Sequence, residues 1–133
     1  MPLVINSNFI QFFDFFDIAM EAFKNSQKYI YNKILNTLNN QMHTVYIDLE
    51  KFSLSIDDID NIYEWDLVGM YDSFLGSVDD IKIFKKNISR YKSNDFEMVN
   101  LYNTADKIHN LLLEILDKLA YKEIDILKEK NAA

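Results

Sequence analysis

Glycine and proline set the strongest limit on how this chain can fold. Among 133 residues there are two glycines, Gly69 and Gly76, and one proline, Pro2. A β-sandwich or barrel needs many tight turns, and these are built most easily from residues that tolerate positive φ or fix φ in advance. The same residues interrupt helices. A chain that nearly lacks them is therefore expected to be all-α. With 49% apolar residues it can bury a core of useful size, and its length suits one compact domain over residues 1–133. The last six residues, 128–133, are expected to fray.

The hydrophobic pattern predicts four to five helices joined by short polar turns, most economically an antiparallel bundle. Phe9, Phe12, Phe16, Met20, Phe23, Gln27, Ile30, Ile34 and Thr37 keep alternating three- and four-residue steps, which predicts one long helix over 8–40. Asn6 or Ser7 would cap it, and Asn39 with Asn40 would stop it. Residues 42–54 are open between two readings. Val45, Ile47 and Leu49 alternate like a strand, whereas Met42, Val45, Leu49 and Phe52 have helical spacing. A short helix is favoured, because a lone strand would have no partner for its backbone.

Further on, Ser55 followed by Asp58 has the spacing of a capping box. Ile56, Ile59, Tyr63, Leu67, Met70 and Phe74 then follow one face. Gly76 is the expected stop, and Ser77 with Asp80 repeats the cap signature. A shorter helix carries Ile81, Phe84, Ile88 and Tyr91. The segment Asn94 to Glu97 opens the last helix, whose core stripe is Leu101, Ala105, Ile108, Leu112, Ile115, Leu119 and Ile126.

The familiar chemical signatures are absent. With no cysteine there can be no disulfide, thiolate nucleophile or cysteine metal site. The glycines make no phosphate loop, no glutamate has a histidine three residues later, and Ile62 and Glu64 spoil the calcium-loop spacing begun by Asp58 and Asp60. The surroundings of His109, Ala105 to Leu113, are faintly similar to a helical phosphotransfer site, but leucines stand where basic and small residues are required. Arg90, the only arginine, has no histidine four to six residues later, as a HEPN-type nuclease needs. His109 and His43 are thus expected to be ordinary boundary or surface residues. No cofactor, no metal and no enzymatic activity are expected, although two carboxylates could still converge from distant helices. The apolar stretch Phe9–Phe16 is broken by Asp14 and closely followed by Asp17 and Glu21, so no membrane span is expected. The first residues lack a basic secretory lead, and a cytoplasmic location is expected.

Charge is the feature that stands out. Between Asp48 and Asp80 lie ten acidic residues against the single base Lys51, so this segment carries −9 of a net −7. The flanking stretches are neutral (1–47) and +2 (81–133). On a continuous helix, Asp57, Asp60 and Glu64 would share one outward stripe. Asp57, Asp58, Asp79 and Asp80 would fall in first turns, where the helix dipole favours anions. Glu64, Asp66 and Asp72 have no such local account. The basic run Lys82, Lys85, Lys86, Arg90 and Lys92 would complement the acidic helix across a turn at Gly76.

A concentrated negative field speeds encounter with a basic partner and repels nucleic acid. The expected function is thus a small acidic binding protein that masks a basic protein, in its most natural form an immunity protein or antitoxin facing a nuclease toxin. Asp57, Asp60, Glu64, Asp66 and Asp72 would make the contact, with Tyr63, Trp65 and Tyr71 as aromatic anchors. Two alternatives share parts of this pattern. One is an anti-defence protein of a phage or mobile element that mimics nucleic acid. The other is a structural or chaperone-like module that forms a homodimer through the phenylalanine-rich helix Phe9–Phe23.

Overall fold

The computed structural model describes residues 6–57, 66–91 and 95–132, of which 6–10, 126 and 129–132 are described by their backbone alone. Four helices make up the bundle: α1 (Asn6–Lys24), α2 (Lys28–Asp57), α3 (Leu67–Ser89) and α4 (Phe96–Ala132). None of the described residues lies in a strand. The all-α bundle expected from the scarcity of glycine and proline is what forms.

Its boundaries differ from those the pattern suggested, and each difference has a local cause. The long helix expected over 8–40 is broken at residues 25–27, where Ser26 has a positive φ of 59°. Ser26 N–H donates to the Phe23 carbonyl and Gln27 N–H to the Ala22 carbonyl. This is a Schellman end with serine in the place glycine usually takes. The break also shifts the hydrophobic phase. Downstream of it the core takes Tyr31, Leu35, Leu38 and Met42, while Ile30 is exposed and Ile34 half-buried. The stripe read as continuous is therefore two stripes, one residue out of step.

Asn39 and Asn40 do not stop α2, which runs on through the doubtful stretch 42–54 as helix. Met42, Val45, Leu49 and Phe52 are all buried, so the helical spacing was the meaningful one. Nor does Ser55 cap a new helix: it lies in the last turn of α2, and its hydroxyl donates to the Phe52 carbonyl. Asp66 takes the capping role instead, accepting from the Gly69 N–H at 3.0 Å. A side chain on Gly69 would collide with that carboxylate.

Gly76 ends nothing, because α3 passes through it, and Ser77 donates back to the Ser73 carbonyl rather than capping. Hydrophobic residues on both sides keep one register, and a single glycine inside a well-packed helix costs only about 1 kcal/mol. A Cβ at Gly76 would meet no atom within 4 Å. Gly76→Ala should therefore raise stability by about 1 kcal/mol in urea denaturation. A destabilised variant would mean that this turn of α3 is not regular helix. The last helix opens where expected, with Asp95 Oδ1 accepting from the Glu97 N–H.

The packing order is less obvious than the helix count. α1 and α4 each pack on both α2 and α3, so the order around the bundle is α1, α2, α4, α3. Tyr31 meets Asp95 near the start of α2 and α4, and Ser53 and Asp57 meet Lys118 further along both. These two helices run parallel. Each helix reverses the one before it in the chain, and α2 and α3 lie across the diagonal. The core is one continuous apolar cluster. Phe84 of α3 stands at its centre on the α1 side, with Phe12, Phe13 and Phe16 ring centroids at 6.3, 5.6 and 5.7 Å.

Candidate functional site

The acidic residues expected to act together are divided by this fold. A continuous helix over 56–74 does not form: α2 ends at Asp57, and Asp66 is a non-helical cap with φ −79° and ψ 83°. Of the stripe expected from Asp57, Asp60 and Glu64, Asp57 alone lies within the described residues. Asp58, Asp60, Tyr63, Glu64 and Trp65 lie outside the described residues. Asp57, Asp66, Tyr71 and Asp72 lie within them.

Asp57 is in the last turn of α2, where the carbonyl end of the helix dipole disfavours an anion. It was expected in a first turn. Lys118 of α4 corrects the mismatch, its Nζ lying 2.9 Å from Asp57 Oδ2 and donating to the Ser53 carbonyl at 3.0 Å. Asp66 is occupied as the cap of α3. Asp79 and Asp80 also fall in mid-helix, not in a first turn. Burial, and next to it the Asp79 charge, push the Asp80 carboxyl above its ordinary range. Asp72 and Asp79 are exposed on α3, and no ion pair ties either down among the described residues. Tyr71 is half-buried against the core.

The basic run does not complement a separate acidic helix, since there is no turn at Gly76. Lys82, Lys85 and Lys86 lie in the second half of α3 itself, Arg90 is its C-cap, and Lys92 lies outside the described residues. Lys85 reaches α4, with Nζ 2.6 Å from Asp106 Oδ1 and 3.3 Å from His109 Nδ1, and 5.6 Å from the Tyr102 ring centre. An ammonium can only donate, so His109 Nδ1 accepts and the imidazole proton resides on Nε2. The Lys85 hydrogen bond holds the Asp106 carboxyl below its usual value. Burial, then the charges of Lys85 and Lys82, lower the His109 pKa against the opposing pull of Asp106. Nothing in the spacing of the sequence announced this triad; residues 85, 106 and 109 meet only because α3 and α4 pack antiparallel.

A histidine whose native pKa lies below its unfolded value binds its proton more readily in the unfolded chain. Its neutral form thus supports the fold fully above about pH 6.5, and that support is lost as pH falls below this value. The urea midpoint should drop between pH 7.5 and 5.5, and His109→Gln should flatten that drop. An equal drop in the variant would place the titrating group elsewhere.

A groove of about 830 Å³ lies between the starts of α2 and α4, lined by Lys28, Tyr29, Asn32, Lys33, Asn36, Asp95, Phe96 and Glu97. Its two lysines balance its two carboxylates, and both carboxylates already serve the fold: Asp95 accepts from Tyr31 Oη, and Glu97 from Asn39. Burial and the Asp95 charge push the Tyr31 phenol up to about 12. Among the described residues, no group of three or more acidic or histidine side chains is placed to hold a metal, and no helix is long and apolar enough to cross a membrane.

The phenylalanine-rich helix has less spare surface than its composition suggests. Phe12 and Phe16 are buried, and Phe13 and Phe15 pack partly against the core. Among its described side chains, Ile18 and Phe23 are the large apolar ones that remain exposed. No protein family model, no curated protein and no solved structure matches the chain.

Proposed function

We propose that this chain is a small acidic binding protein that masks a basic protein partner in the cytoplasm, as an immunity protein or antitoxin masks a cationic nuclease toxin. One observation carries the reading: Asp72 and Asp79 stand exposed on α3 with no ion pair among the described residues, and Asp66 lies at the start of the same helix. Unpaired acids grouped on a rigid helix keep their field in solvent, where it steers a cationic partner. Asp57 adds to that end of the bundle, although Lys118 already offsets it. Tyr71 is the described aromatic nearest these acids in sequence, and Asp60, Tyr63, Glu64 and Trp65 remain part of the proposed contact. A nucleic-acid mimic would need its acids on one face, whereas the described ones are divided between α2 and α3 across the diagonal.

The test is an affinity pull-down from the native cell, eluted with rising salt. A basic protein should elute, and changing both Asp66 and Asp72 to lysine should slow its association at least tenfold at low salt, in line with electrostatic steering. Capture of only neutral or acidic proteins, or an unchanged association rate, would overturn the proposal.

A further inference from the structure

The joint between α1 and α2 is bent against the preference of its own residues. Residues 23–30 are all exposed, and among them Ser26 takes a left-handed φ of 59°, a conformation glycine usually supplies. No glycine or proline stands between Pro2 and Gly69, so no residue type here resists continuing as helix. The apolar spacing does continue. Phe12, Phe16, Met20, Phe23, Gln27, Ile30, Ile34 and Thr37 keep three- and four-residue steps straight through the joint. On α2 the next steps reach Gln41 and Thr44, which line a cleft with Gln11 and Phe12 of α1. The α2 part of this stripe thus lies on the side of the helix that faces α1. At the mouth of the seam Phe23 is 61% and Ile30 43% exposed.

We infer that the joint also opens, α1 and α2 becoming one straight helix, and that two copies of the chain then exchange α1 to form a dimer. The fold fixes what fills the groove that α1 vacates. It is α1 of the second copy, which remakes the contacts with α2 and α3 that exist in the monomer, Phe12 and Phe16 against Phe84 included. The register allows this. Phe23 meets Tyr31, and Gln11 lies across the cleft from Gln41 and Thr44, so the antiparallel seam is centred on Ser26 and Gln27. Two straightened helices laid antiparallel in that register cross at the joint, where Phe23 of each copy comes opposite Ile30 of the other. Opening relieves Ser26 in both chains and covers these exposed apolar residues, at the loss of the Phe23–Tyr31 contact. A short joint under strain is a known route to such exchange. α1 leaves only by withdrawing the buried Phe12 and Phe16, so exchange accompanies refolding and not collision of folded chains. None of the acidic residues of α3 takes part, and the exchange is independent of the proposed function.

Sedimentation of the purified chain, refolded from urea at about 200 µM, tests the exchange. A dimer should appear beside the monomer. Asn25→Ala with Ser26→Ala puts better helix formers in the joint and should raise the dimerisation constant at least tenfold, because each dimer holds two joints. Ser26→Gly makes the bend easy and should lower it at least tenfold. The chain has no cysteine, so Gln11→Cys with Thr44→Cys, both exposed, places one thiol on each side of the seam for a short bis-maleimide. In the isolated dimer the reagent should join chain to chain and give a covalent dimer on a denaturing gel. In the monomer it should close within one chain. Refolding to monomer alone would overturn the inference. So would an isolated dimer whose cross-links all lie within single chains, or a dimerisation constant that neither set of joint changes moves.

Discussion

Phe84→Ala is expected to destabilise the protein by about 3–5 kcal/mol, the range for removing a buried phenyl ring from a well-packed core. The ring is fully buried and stands against three phenylalanines of α1. Its loss would leave a cavity that rigid helices on either side can only partly close. Domains of this size are stable by about 5–15 kcal/mol, so the variant should lie near the edge of folding. Its urea midpoint should fall by a large fraction of the wild-type value, with α1 opening first in hydrogen exchange. A loss below 1 kcal/mol would mean that α1 does not seat on α3 as described. Phe84→Leu, which keeps most of the volume, should recover much of the loss.

The second large effect is expected at Asn39. Its side chain is only 6% exposed, yet it makes three contacts with α4. Its amide donates to the Glu97 carbonyl and to Glu97 Oε2, at 3.1 and 3.3 Å, while its oxygen accepts from Asn100 at 3.2 Å. Asn39→Ala would strip the Asn100 amide and the Glu97 acceptors of their partner and should cost about 1–3 kcal/mol. Asn39→Leu separates two roles. If the network only satisfies buried polar groups, leucine should cost no more than alanine. If it also fixes how α2 lies along α4, as a buried asparagine does in a coiled coil, leucine should broaden the amide spectrum at both helix starts. An unchanged urea midpoint in Asn39→Ala would remove Asn39 from the determinants of the fold.

Asn39 also shows what could be read in the chain and what could not. As half of an Asn–Asn pair it looked like a helix stop, because asparagine competes with helix by local hydrogen bonding. Its actual partners lie 58 and 61 residues away, beyond any local pattern. Gly76 misled for the same reason: intrinsic preference is a weak prior, and apolar residues in register on both sides outweigh it. Ser26 gave no warning either, since serine is an unusual residue for a left-handed position. The core positions of α4 were legible because seven-residue spacing over a long helix leaves one face to bury. Of the proposed contact, the acidic composition was legible, but its arrangement was not. The helix expected over 56–74 is interrupted at Asp66, the non-helical cap of α3.

The order of the helices around the bundle bears on how the chain reaches it. α1 with α2, and α3 with α4, are hairpins of neighbours whose contacts close short loops and can form quickly. The parallel pairs are of another kind. α2 with α4 and α1 with α3 are joined only when one hairpin finds the other, through residues such as Tyr31 and Asp95 that lie 64 positions apart. Contacts between such distant residues form more slowly than those between consecutive helices. Asn39, Lys118 and the Phe84 cluster belong to the surface between the two hairpins. If they close after the barrier, weakening them shortens the life of the folded state and barely alters the speed at which it forms.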